Sequence, residues 1–210
     1  MNIATSLVHR LAVAGVNFAP EIAGAARRHG VDPALLAAVA AQETGGPGTN
    51  GGANIVGDGG HGHGVFQIDD RWHSFACTPG AMNPERNADY AAGMLSGLLH
   101  RYGGNVREAL SAYNAGSPNA TGTTTRWGDG KVLGYADSVL RHYGSIAQPD
   151  DVETARANIA CTAQTVNEPL ALMSAMAPPP HVSWRSTEGL DATGHSHEEQ
   201  LDPLLEGDDN

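Results

Sequence analysis

At 210 residues the chain is long enough for one domain and some excess, and with 40% hydrophobic but only 5% aromatic residues its core must be built mainly from Ala, Leu and Val. The net charge of -11 is unevenly placed: residues 1–148 carry 11 acidic and 10 basic side chains, residues 149–210 carry 12 and 2, so an acidic tail follows a nearly neutral body. No basic stripe exists to release counterions from phosphate, which argues against a nucleic-acid partner, and no run approaches the ~18 apolar residues of a bilayer span, so no membrane insertion is expected.

Residues 1–16 read as an N-terminal extension, with Leu7 and Leu11 on one face of a short helix. His9 and Arg10 interrupt its apolar stretch and no basic n-region precedes it, so no signal peptide is expected. A domain over residues 17–148 follows. Asn17 caps a predicted helix through Phe18, Ile22 and Ala26, closed by Gly30. Asp32 and Pro33 form an N-cap and first-turn pair, and the Ala/Leu-rich run 34–42 carries Glu43 on its last turn, stopped by Gly45, Gly46 and Pro47.

The stretch from Gly45 to Gly64 is glycine-rich and reads as a folded-over loop region, with a short strand predicted at Val65–Ile68. Asn83 and Pro84 then repeat the start signal. Tyr90, Met94, Leu98 and Tyr102 fall every four residues before Gly103 ends that helix. Asn105 opens a short helix with Val106, Leu110 and Tyr113, and a last helix is predicted from Gly134 to Tyr143, closed by Gly144. The fold class is therefore mainly α, with a small Gly-rich loop and β segment beside a cleft. Residues 149–210 form an acidic, partly disordered tail, loosely helical over Val152–Leu172. Cys77 and Cys161 permit one disulfide without requiring it.

Three carboxylates stand out. Glu43 lies at a helix end beside Ala40 and Ala41, where desolvation raises a carboxyl pKa. Asp58 and Asp69 lie in the loop region that follows, placed to face it across a cleft. A carboxyl group still protonated near neutral pH is what protonation of a glycosidic leaving oxygen requires.

The order of whole segments says more. Ala41-Gln-Glu-Thr-Gly45, then Gly57-Asp-Gly-Gly-His-Gly-His-Gly-Val-Phe-Gln-Ile-Asp69, then Leu110-Ser-Ala-Tyr-Asn-Ala-Gly116 resembles the goose-type lysozymes and the related soluble lytic transglycosylases, over roughly residues 30–146. The resemblance implies a lysozyme-like helical domain whose partner is the glycan strands of peptidoglycan, with no cofactor. It carries Glu43 onto the catalytic acid and Gln67 onto a cleft residue touching the sugar. Tyr113 and Asn114 match the pair supporting acid and substrate, and Tyr135 the aromatic packed near the glutamate. Asp58 and Asp69 match the two aspartates of the goose-type branch. An inverting hydrolase needs such a second carboxylate to activate water. A lytic transglycosylase does not, because the sugar's own 6-hydroxyl attacks to give a 1,6-anhydro product. The two aspartates thus favour hydrolysis, with the transglycosylase as the alternative.

His61 and His63 occupy positions usually held by glycine and small polar residues, and are expected to line the cleft and bind sugar hydroxyls. His61-x-His63 with Asp69 and His73 offers zinc-type donors, but the spacing matches no established pattern and no metal is expected. Trp72 and Trp127 read equally as sugar-stacking platforms and as packing. A non-enzymatic reading, a wall-binding or virion structural protein with the same fold, is opposed by the full set of matched residues. A wall-cutting enzyme without an export signal fits a phage product made in the host cytoplasm, an endolysin or a virion lysozyme. The tail then reads either as a solubilising segment or as the docking site for a virion or lysis-system partner.

Overall fold

The computed structural model describes residues 3–147. The expected acidic tail, the helical reading of Val152–Leu172 and Cys161, the candidate partner of Cys77, lie outside the described residues. Among them are six α-helices, α1 (Ile3–Val13), α2 (Ala19–His29), α3 (Pro33–Ala40), α4 (Pro84–Arg101), α5 (Val106–Ala115) and α6 (Tyr135–Ile146). Two small antiparallel sheets complete the fold. One has the order β1 (Ile55–Gly57), β2 (Gly62–Gly64), β3 (Ile68–Asp69); the other pairs β4 (Thr124–Arg126) with β5 (Val132–Gly134).

Side-chain caps explain three of the six helix starts. The Asp32 carboxylate accepts from the N–H groups of Ala34 (2.8 Å) and Leu35 (3.4 Å). Asn83 accepts from Arg86 N–H at 3.0 Å, and Asn105 from Glu108 N–H at 3.3 Å, each satisfying an otherwise orphaned donor. The first expected cap differs. Asn17 does not cap α2; its amide donates to the Gly52 carbonyl at 2.9 Å, and Phe18 takes the N-cap position with φ 56°. The last helix also differs. It runs through Gly144 to Ile146, because Ile146 is buried and that burial outweighs the roughly 1 kcal/mol penalty of a helical glycine.

Helix α2 packs on α4 and α3 on α6, around a core in which Ile22, Leu36, Leu95 and Leu110 are fully enclosed. Alanines at 25, 26, 37, 38, 91 and 92 are equally buried, and their small side chains let the helices approach closely in a chain so poor in aromatics. Helix α1 belongs to this core: it packs on α2 and inserts Leu11, which is buried. The expected strand at Val65–Ile68 is displaced. Val65 and Phe66 form the buried turn joining β2 to β3, and only Ile68 lies in a strand.

Candidate active site

After Ala40 helix α3 widens into a π-helical turn, Ala41–Gly45, ended by Gly46 at φ 79°. Such turns insert an extra residue into the helical ladder and redirect side chains. Here the turn delivers Glu43 to a cleft of about 190 Å³, lined also by Gln42, Asp58, Gln67, Asn114 and Tyr135 among others.

Tyr135, the first residue of α6, is buried and donates its hydroxyl to Glu43 Oε1 at 2.6 Å. Burial pushes the Glu43 carboxyl up to about 7, against the opposing pull of the Tyr135 hydrogen bond. The group therefore carries its proton into the neutral range. Tyr135→Phe leaves the burial effect unopposed, so Glu43 is expected to titrate above 7 in that variant. A carboxyl NMR titration checks it, and an unmoved midpoint would show the hydrogen bond to be without influence.

Tyr113, on α5, stacks on Tyr135 with ring centroids 6.4 Å apart. Its hydroxyl is buried with no hydrogen-bond partner among the described residues, and burial together with the Glu43 charge holds it well above the ordinary tyrosine range. Asn114 follows on the same helix. Its Oδ1 accepts from Thr123 N–H at 2.8 Å and so fixes the approach to the β4–β5 hairpin. That hairpin is tied a second time, by Gln42 Nε2 donating to Thr125 Oγ1 at 2.8 Å. The hairpin is absent from the expected elements, although Thr123–Thr125, the Gly128-Asp129-Gly130 turn and Val132 are its β-branched and turn signals.

The opposite wall is the three-stranded lobe. Gln67, at φ 47°, folds its side chain back over β1 and β2, with Nε2 donating to the carbonyls of Gly64 (2.8 Å) and Ile55 (3.1 Å). Its Oε1 occupies the space where a Cβ at Gly57 or Gly62 would stand, so a side chain at either position would displace the Gln67 amide from this seat.

Asp58 also lines the cleft, whereas Asp69 does not. Asp69 is fully buried behind the wall, and Arg71 engages it through its backbone N–H (2.8 Å), through Nε (2.9 and 3.0 Å) and through the same terminal nitrogen that reaches Asp58. Burial raises the Asp69 carboxyl, but the hydrogen bonds and charge of Arg71 outweigh it and hold it below the ordinary value. The two aspartates are thus joined by one guanidinium, a residue that the spacing alone does not single out.

His61 and His63 are absent from the cleft lining. Each grips one oxygen of Asp70, His61 Nδ1 at 2.8 Å and His63 Nε2 at 3.0 Å, and these bonds hold the Asp70 carboxyl below its ordinary value. This pairing staples β2 to the end of β3. No group of three metal-ligating side chains lies together among the described residues. Trp127 is buried against His142, with Arg141 over its ring at 4.2 Å, and so packs; Trp72 is 43% exposed.

The arrangement supplies a proton-bearing carboxyl on one side of a cleft and an arginine-paired carboxylate on the other. Compared with known families, residues 21–130 match the model of the transglycosylase SLT domain.

Proposed function

The chain belongs to the transglycosylase SLT domain family and is a peptidoglycan-acting enzyme; on that footing we propose that it cleaves the β-1,4 bond between N-acetylmuramic acid and N-acetylglucosamine, with Glu43 as general acid. The observation that carries this reading is the Glu43 carboxyl, held to about 7 in a cleft and fixed by Tyr135. It gives its proton to the leaving oxygen as the glycosidic C–O bond breaks.

Asp58 is the group that holds water in the hydrolytic reading. Its Oδ2 is taken by Arg71, which leaves Oδ1 to accept from a water aimed at the anomeric carbon and to receive that water's proton. Asp69, buried, acts only through Arg71, as the anchor that keeps the guanidinium and hence Asp58 in place. Gln67 and Asn114, on facing walls, are the polar groups for sugar contacts.

One observation favours the second reading. The Arg71 guanidinium competes with water for the Asp58 carboxylate, and a charge-assisted bond of that kind is the stronger of the two. With water poorly held, the sugar's 6-hydroxyl attacks in its place and gives a 1,6-anhydro product. Mass spectrometry of fragments released from purified peptidoglycan separates the two. Free reducing N-acetylmuramic acid ends are the expected product. Ends lighter by one water would assign lytic transglycosylation and leave Asp58 no role as a base.

A further inference from the structure

The end of β2 and the turn that joins it to β3, residues 63–66, are gripped from two sides by side chains that do not line the cleft. From the π-helical turn comes Thr44, the residue after the acid. Its hydroxyl lies 3.0 Å from the Val65 carbonyl and 3.2 Å from that of Ala40, and it accepts from Ala53 N–H at 2.8 Å. One hydroxyl therefore joins the end of α3, the following loop and the opposite lobe.

From α4 comes Asn87, fully buried although polar. Its Oδ1 accepts from Phe66 N–H at 2.9 Å and its Nδ2 donates to the His63 carbonyl at 3.0 Å, so the carboxamide reads both strands of the turn as a backbone partner would. Gly64 between them has φ 79°, and a Cβ there would come within 2.5 Å of the Ala81 carbonyl and of the Asn87 amide. The turn has no room to shift toward α4. Gln67 follows the turn directly, and Asp58 stands on the same lobe.

We propose that Thr44 and Asn87 are positioning residues of the glycan-cleaving reaction: together they fix the lobe bearing Asp58 and Gln67 at a set separation from Glu43. This rests on the reading of the site as a glycan-cleaving one. The acid must reach the leaving oxygen and the water the anomeric carbon that bears it, from two walls, and a misplacement near 1 Å costs about 10²-fold in rate. Neither residue needs to touch substrate to control that separation.

The test is steady-state turnover of soluble glycan fragments, with the ratio of reducing to anhydro ends, for wild type, Thr44→Val, Thr44→Ser and Asn87→Asp. All are assayed well below each variant's own melting midpoint. Thr44→Val keeps the shape and removes the hydroxyl; kcat is expected to fall about 10²-fold, with KM little changed and the product ratio altered. Thr44→Ser is expected to restore both. Asn87→Asp keeps the acceptor for Phe66 and loses the donor to His63, and is expected to fall in kcat in the same manner; it carries the test alone if Thr44→Val does not fold. A folded Thr44→Val or Asn87→Asp with wild-type kcat and product ratio, a loss confined to KM, or a Thr44→Ser without recovery overturns the proposal. A wild type that releases no fragments overturns the glycan-cleaving reading itself, and this inference with it.

Discussion

Glu43→Gln is expected to lose about 10²–10⁴-fold in kcat, the range typical of a general acid, and at the same time to become more stable than wild type at alkaline pH. Burial raises the folded-state carboxyl from 4.5 to about 7, so the native protein binds a proton that the unfolded chain has released between those values. Wild-type stability is therefore greatest below 4.5 with respect to this group, and declines as pH rises through about 7. The full effect corresponds to about 3 kcal/mol. Glutamine fills the same space without a charge to desolvate, so its advantage should be absent at pH 4, grow through neutrality and level off above pH 8. Urea unfolding at several pH values, beside a rate assay, checks both halves. An inactive variant of unchanged or lower stability at pH 8 would remove the physical basis for a protonated acid. The same protonation predicts that wild-type activity declines along its alkaline limb near pH 7.

How much of this is legible without the structure depends on the range of the interaction. Asp32, Asn83 and Asn105 satisfy donors two or three residues ahead, so sequence spacing contains the whole interaction and the helix starts can be read directly. Asn17 offers the same local signal but bonds Gly52, 35 residues on; a competing tertiary acceptor is invisible to spacing. Gly144 looks like a stop and is carried through by the burial of Ile146.

The site divides along the same line. Glu43, Gln67, Asn114 and Tyr135 stand in segments whose order betrays the family, and they gather in one cleft. The spacing of Asp58 and Asp69 cannot say that one faces the cleft while the other is buried behind it. That distinction is made by Arg71, whose flexible side chain spans 13 residues of sequence to Asp58. Nothing local announces that Asp70 sits between His61 and His63, so their sequence alone points them at the cleft. Asn87, a buried amide in a helix otherwise capped and patterned by ordinary rules, gives no signal at all, since its two partners are backbone atoms of a distant turn.

Arg71 carries the largest stability effect expected of any single side chain in the lobe. Its Asp58 end is solvent-accessible and contributes little as an ion pair, but the Asp69 side chain is only 1% exposed. Arg71→Met removes the guanidinium and leaves a buried carboxylate uncompensated, which should cost about 3–5 kcal/mol at neutral pH. The pH dependence changes sign as well. With Arg71 present the Asp69 carboxyl is held low, so its stabilisation is present above the unfolded pKa and is lost as pH falls through the lower folded value. Without the guanidinium, burial and the Asp70 charge are opposed only by the backbone N–H at position 71, so the folded pKa is expected to rise above the unfolded one and stability then to decrease as pH increases. Wild type and variant should therefore converge toward pH 3 and diverge toward pH 7. Adding Asp69→Asn removes the stranded charge while keeping a side-chain oxygen to accept from the backbone N–H at position 71. The double variant should recover most of the lost stability at pH 7. Activity should not recover with it, because Asp58 still lacks the guanidinium that holds it at the cleft. A double variant as unstable as Arg71→Met would mean that Arg71 contributes by packing and not by charge. A double variant that is both stable and fully active would mean that the Asp58–Arg71 contact has no part in the reaction.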